Sequence, residues 1–399
     1  MHTNTRPASD ESPNSAKAIT AVAAPALFTP IEVRALRARN RIVISPMQQY
    51  KAGRDGKPNE WHRSHLGKLA IGGAGLVFTE AIAIEKHARA TYSDLGIWNE
   101  EQAEALKPIV EAIESNGSVS GAQLIHAGRK ASVQRPWEGY QSLGPEDASR
   151  GDAPWPVVGP SALPPNPGWQ LPRALELDEI RRIRDQFGLG ARRLARAGFQ
   201  ALNIHGAHGY LIHSFLSPLS NHRDDDYGGD LAGRMRFALE VAEAVRAEWP
   251  SDKPIFYRLS CIDDLTGGWT LEDTIVLSRE LGARGIDVID CSSRGLGPRG
   301  TLATATQTEG FQVPFAEAVR AQTGLRTMTV GLIRSAGFAN KVIEQGRADF
   351  VAIGREALFN PHWPLHAALE LGFDKQYAEW PAPYGWWLAR RARTAPPVR

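Results

Sequence analysis

Cysteine is almost absent: the chain has two, Cys261 and Cys291, in 399 residues. Both fall in apolar runs, where a thiol behaves as a small hydrophobe. A disulfide framework is therefore not expected, and two thiols are too few to ligate an iron–sulfur cluster. A reducing, cytoplasmic setting fits. Long hydrophobic runs are missing too, and none approaches the roughly 20 residues a membrane-spanning helix needs. Nor is there a surplus of one charge. The 46 basic residues against 44 acidic ones leave +2, mixed along the chain rather than gathered on a basic face, so nucleic acid is not an expected partner. There is no repeat beyond the unit described next, and no low-complexity tract after residue 26. Residues 1–26 are rich in Ser, Thr, Asn, Pro and Ala. Lys17 precedes an apolar stretch that imitates a secretory core, but Pro25 interrupts it and Asp10 and Glu11 lie ahead of it. A disordered extension is the expectation there.

What the chain has is alternation. Short Val/Ile-rich runs predict strands over Arg41–Met47, Gly75–Ile84, Val119–His126, Ala201–His205, Pro254–Ser260, Asp287–Ser292, Thr327–Leu332 and Phe350–Gly354. Amphipathic segments between them predict helices over Trp61–Ile71, Glu101–Ser115, Asp178–Ala197, Arg234–Glu248, Leu271–Arg284, Pro314–Gln322, Ala336–Gln345 and Pro364–Leu371. Eight of each, in strict alternation, predict an α/β fold: one closed (β/α)8 TIM barrel over residues 27–399, including a C-terminal tail. One connection is too long for a plain loop. Residues 129–177 hold nine of the 27 prolines and leave the C-terminal end of the third strand, where barrel active sites lie; they are expected to form a lid.

The densest chemistry is His205-Gly-Ala-His208-Gly-Tyr210, at the end of the fourth strand. The two imidazoles converge only if the strand stops near Gly206 and the chain turns. Together they can donate to a carbonyl oxygen that gains negative charge, and Tyr210, protonated at neutral pH, can supply a proton. A zinc site is the competing reading, but no third ligand or His-Glu-x-x-His motif accompanies the pair, and no metal is expected. Arg258 lies inside a strand, where an unpaired guanidinium is costly. Something anionic must face it, either a carboxylate such as Glu80 or the edge of a reduced flavin. Gln123 offers an amide edge for pairing. Gly331, Gly354 and Arg355 fall in the seventh and eighth units, the usual phosphate site of a barrel. A phosphate site alone also suits a flavin-free lyase or isomerase, or a non-catalytic binding barrel. No predicted strand carries the lysine that a Schiff-base aldolase needs.

At this point residues 27–390 resemble a known family, the Old Yellow Enzymes, which are flavin-dependent ene-reductases. The resemblance rests on Leu27-Phe28-Thr29-Pro30-Ile31, Asn40-Arg41-Ile42-Val43 running to Ser45-Pro46-Met47, and His126-Ala127-Gly128-Arg129-Lys130. It continues through the His205–Tyr210 cluster to Phe215-Leu216-Ser217-Pro218-Leu219-Ser220-Asn221 and Tyr227-Gly228-Gly229, then Gly354-Arg355. The spacing is most similar to the bacterial branch of xenobiotic reductases and thermophilic-like ene-reductases, with Trp380-Pro-Ala-Pro-Tyr384 in support.

The resemblance implies tightly bound FMN, with NADPH or NADH as hydride donor and electron-poor alkenes as substrates. It implies that Ser45, Pro46, Met47 and Ala81 line the flavin, that Gln123 pairs with its pyrimidine edge and that Arg258 sits by N1. Gly331, Gly354 and Arg355 would hold the phosphate. His205 and His208 would bind the substrate carbonyl, Tyr210 would donate the proton and Tyr50 would touch the substrate. Gln48 stands at the flavin where the branch often has Cys, which puts flavin potential and substrate preference in question. A homodimer or homotetramer is expected, and Trp386, Trp387, Arg390 and Arg391 are candidates for reaching a neighbouring site, as the resemblance implies.

Overall fold

The computed structural model describes residues 24–296 and 307–394. Eight parallel strands close on themselves in sequence order: β1 (Ile42–Ile44), β2 (Leu76–Ala83), β3 (Val119–Ile125), β4 (Ala201–Gly206), β5 (Ile255–Ser260), β6 (Val288–Ser292), β7 (Arg326–Thr329) and β8 (Phe350–Ile353). Their residues are buried almost throughout because both faces are covered, one by the barrel interior and one by helices. Those helices are α1 (Glu60–Ile71), α2 (Glu100–Glu114), α3 (Leu177–Ala197), α4 (Leu231–Glu248), α5 (Leu271–Ala283), α6 (Val313–Thr323), α7 (Ala336–Glu344) and α8 (Trp363–Glu370). Their starts are chemically marked. Asn59 and Asn99 close capping boxes with His62 and Gln102 at α1 and α2, and Thr270 does so with Asp273 at α5, satisfying N–H groups that the first turn leaves free.

The eightfold alternation appears as expected. Two strands are shorter than expected: β1 stops at Ile44 and β7 at Thr329. Ser45–Met47 and Val330–Leu332 thus belong to the loops at the barrel mouth. Apolar residues there mimic a strand because they face a site rather than a neighbouring strand. Alternation alone also misses an antiparallel hairpin, Ile31–Val33 with Leu36–Ala38. Its buried Ile31, Val33, Leu36 and Ala38 pack with Leu76, Ala201, Phe256, Val288 and Phe350 from the early parts of the strands. That plugs the N-terminal end and leaves the C-terminal end for chemistry.

The long connection is an ordered excursion with its own small core. Ala131, Val133, Leu143, Trp155 and Val157 pack with Ala90 and Ala127, and Tyr92, Tyr140, Trp169 and Tyr210 lie against them. It holds a short helix, Pro145–Ser149, and a two-residue parallel pairing of Val158–Gly159 with Arg173–Ala174. Of the expected N-terminal extension, residues 1–23 lie outside the described residues. No described helix is long and apolar enough to cross a membrane.

Candidate active site

Residues pointing inward from the upper halves of the strands are polar, and they are linked. Gln123 Nε2 donates to Asn203 Oδ1 at 3.3 Å, and Asn203 Nδ2 donates to Asp290 Oδ2 at 3.0 Å. Asp290 Oδ2 lies 3.5 Å from Arg258 Nε, and Arg258 Nη1 donates to Ser45 Oγ at 3.4 Å. All five residues are buried. The carboxylate facing Arg258 is therefore Asp290, not Glu80, which pairs instead with His62 at 3.0 Å and accepts the Gln49 N–H. Burial raises the Asp290 pKa, while Arg258 and Asn203 oppose that shift.

β4 runs through Gly206, and the chain then turns with His208 at φ 61°. That turn brings the imidazoles of His205 and His208 to 5.1 Å between centroids at 80°, with His205 Nε2 and His208 Nδ1 at 3.4 Å. Burial, reinforced by the Arg258 charge, holds both pKa values well below 6.5, so both rings are neutral at pH 7. The turn is clamped. Lys130 Nζ donates to the His208 carbonyl at 2.7 Å and to the Gly295 carbonyl at 2.5 Å. A Cβ on Gly295 would lie 2.2 Å from the His208 backbone, so only glycine allows that approach. Burial pulls Lys130 down to about 7. Even the neutral amine keeps two N–H donors for the two carbonyls.

Tyr210 stands edge-on to His205, 4.9 Å between centroids. Its hydroxyl faces that of Tyr140, brought in by the excursion, and Tyr50 lies close enough to add to the effect; burial and these phenols push Tyr210 well above 10. Tyr50 packs on Trp137 at 5.7 Å, and Tyr140 on Trp169 at 5.8 Å. The excursion thus forms an aromatic wall beside the His–His–Tyr cluster, the place expected of a lid.

Beside this cluster a cleft of about 430 Å³ runs from His208, Arg258 and Ser292 past Phe311, Gln312 and Gly331 to Arg334, Gly354 and Arg355. Five expected residues therefore line one cavity: His208, Arg258, Gly331, Gly354 and Arg355. Gly331 has φ 130°, and a Cβ there would meet the Phe311 ring at 3.1 Å and the Gln312 N at 3.3 Å. A Cβ on Gly354 would find only Met47 Sδ, at 3.9 Å. Of the rest, Ala81 pairs in register with Gln123 just beyond a bulge in β2. Pro46 and Gln48 are half-buried in the loop after β1, and Gln48 Oε1 is buried without a hydrogen-bond partner.

Trp386, Trp387, Arg390 and Arg391 are not in the cleft. They lie on a terminal helix, Ala382–Thr394, with Trp386 51 % and Trp387 67 % exposed. Sequence reasoning missed Asn203, Asp290, Ser292, Gln312, Arg334 and Tyr140. Asp290 was within reach, because a carboxylate in Val-Ile-Asp-Cys raises the same buried-charge question as Arg258. Tyr140 carries no local signal.

Residues 26–372 match the model of the NADH:flavin oxidoreductase / NADH oxidase family. The chain belongs to that family. It is 40 % identical over 347 residues to the NADPH dehydrogenase of Geobacillus thermodenitrificans (strain NG80-2), covering 87 % of this chain and 94 % of that one. Against the NADPH dehydrogenase of Bacillus subtilis (strain 168) it is 38 % identical over 349 residues, 87 % and 96 % of the two chains. Its fold is similar to that of an Old Yellow Enzyme homologue from Zymomonas mobilis, with a TM-score of 0.72 at 28 % identity over 91 % of this chain and 98 % of that one. It is thus an NAD(P)H-dependent flavin oxidoreductase of the Old Yellow Enzyme family, with FMN as its cofactor. The flavin-free lyase or isomerase reading falls with that assignment. The residues fit FMN: the Arg355 guanidinium lines the cleft beside Gly354, where a Cβ would meet only Met47 Sδ at 3.9 Å, and Gln48 Oε1 is buried without a donor.

Proposed function

We propose that the enzyme is an ene-reductase acting on α,β-unsaturated carbonyl compounds and related electron-poor alkenes. Bound FMN supplies the carrier that takes hydride from NAD(P)H and gives it to the β-carbon of the alkene. The observation that carries this reading is the pair of neutral imidazoles with facing nitrogens 3.4 Å apart, beside a phenol held in its protonated form. Two neutral N–H donors can bind the carbonyl oxygen and stabilise the charge that grows on it. Tyr210 then gives its proton to the α-carbon, and solvent restores it.

In the same reading Gln123 and Arg258 hold the flavin pyrimidine edge, with Ser45, Pro46, Met47, Gln48 and Ala81 along the ring. Gly331, Gly354 and Arg355 hold the phosphate, and Tyr50 with the aromatic wall excludes water from the alkene. The test is an anaerobic visible spectrum of the holoenzyme, with NADPH added first and cyclohexenone second. A flavin band that bleaches and then returns is the expected result. A band that bleaches with NADPH and stays bleached with every enone and nitroalkene tried would overturn the alkene reading while leaving the flavin oxidoreductase intact. Replacing His205 and His208 with Ala should slow reoxidation by the enone roughly a hundredfold or more, with much less effect on bleaching.

A further inference from the structure

Ser292 ends β6, and its Oγ lies 2.7 Å from His208 Nε2. Gln312, which opens α6, sends its Nε2 to Ser293 Oγ at 2.8 Å and to Ser292 Oγ at 3.4 Å. Ser292 and Gln312 are both buried. With one lone pair taken by the Gln312 N–H, the Ser292 hydroxyl has its hydrogen to place, and the His208 ring is the acceptor within reach. His208 Nε2 is then the acceptor, which puts that ring's proton on Nδ1. His205 is fixed the other way round, because its Nδ1 accepts the Ala207 N–H at 3.2 Å and its proton must sit on Nε2. The two facing nitrogens, 3.4 Å apart, are then both donors and cannot satisfy each other. Only an acceptor placed between them completes the arrangement, and a carbonyl oxygen is such an acceptor. In the opposite His208 tautomer, His205 would donate to His208 Nδ1 and the pair would close on itself.

We propose that Ser292, oriented by Gln312, is a positioning residue that fixes the His208 tautomer and so turns the histidine pair into a double donor for the substrate oxygen. The catalytic part of this proposal rests on the ene-reductase reading above; the tautomer part does not.

The test therefore has two readouts on the FMN-loaded protein. Long-range proton–nitrogen NMR with 15N-histidine should show His208 protonated on Nδ1 in the wild type and on Nε2 in Ser292→Ala, with Ser292→Thr like the wild type. Stopped-flow reoxidation by cyclohexenone should slow roughly tenfold or more in Ser292→Ala, recover in Ser292→Thr, and leave reduction by NADPH little changed. Gln312→Leu, which removes the orienting N–H, should give a mixture of His208 tautomers; a pure Nδ1–H form there would overturn the orienting role of Gln312. An Nε2-protonated His208 in the wild type, the same tautomer in wild type and Ser292→Ala, or equal losses in the Thr and Ala variants would overturn the role of Ser292. Tautomers that move as stated in a protein that no enone reoxidises would sink the ene-reductase reading and leave the control of His208 by Ser292 standing.

Discussion

Several side chains at the barrel mouth sit on backbone that non-glycine residues avoid, among them Tyr50 and Tyr140 at φ 54° and His208 at φ 61°. Such conformations cost on the order of 1–3 kcal/mol each and persist where the surroundings hold them. Here the holders are visible. Lys130 binds the His208 carbonyl, Gln49 is tied to the buried Glu80 beside Tyr50, and Trp169 stacks edge-on to Tyr140. Tyr140 is the residue on which a sharp expectation can be placed, because its phenol faces that of Tyr210 while its backbone belongs to the excursion. Tyr140→Phe keeps the ring packing and deletes only the hydroxyl. Alkene-dependent reoxidation should slow by about three- to tenfold, with flavin content and reduction by NADPH unchanged; equal losses in both half-reactions would mean that the excursion had shifted. Because burial and the neighbouring phenols hold Tyr210 well above 10, the proton donor itself should produce no fall in the reoxidation rate between pH 7 and 9. A rapid-mixing pH series would check that.

At the scale of elements, successive βα units are clasped together by polar groups just past the strand ends. Glu85, two residues after β2, lies 3.3 Å from His126 Nε2 at the end of β3 and is hydrogen bonded by Arg182 on α3. Burial would raise its pKa, but the bonds from His126 and Arg182 win and hold it near 2. A carboxylate depressed below its unfolded value contributes stability that is fully present above pH 4.5 and is lost as pH falls toward 2. Glu85→Gln should accordingly cost on the order of 1–3 kcal/mol at pH 7, allowing for partial solvent exposure. Urea unfolding at pH 7 and at pH 3 should show the gap between variant and wild type narrowing as the pH drops. The strand and helix pattern was legible because burial on both faces enriches the strands in Val, Ile and Phe between amphipathic helices, and the His205–Tyr210 cluster was legible because titratable groups at a strand end are rare. Contacts across the barrel were not. Asp290 rather than Glu80 meets Arg258 because β5 and β6 pair Arg258 with Asp290 in register, and Ser292 meets His208 across 84 residues. Register and loop closure decide those pairs, and neither has a local signature. Tyr140 lies deeper in the same difficulty, inside an excursion whose path is set by its own small core.

At the scale of the whole molecule, the barrel is closed at one end by the Ile31–Ala38 hairpin and open at the other over a buried cation and carboxylate. The cleft that continues from Arg258 to Arg355 is lined by residues of the loops after β6, β7 and β8. A ligand that spans the cleft should therefore stabilise the fold as a unit. Binding to the native state alone adds about 2.7 kcal/mol at a free concentration one hundred times the Kd, which for a chain of this size is a rise of a few degrees in Tm. FMN and riboflavin share the ring and differ by the phosphate, so the gap between their effects on Tm, measured on flavin-stripped protein, isolates the Gly331–Gly354–Arg355 end. FMN should stabilise clearly more than riboflavin in the wild type, and Arg355→Ala should remove most of that gap while leaving the riboflavin shift nearly intact. If Arg355→Ala lowered both shifts equally, Arg355 would be supporting the cleft wall and the phosphate would lie elsewhere; if neither changed, Arg334 and the backbone at Gly331 would be holding it.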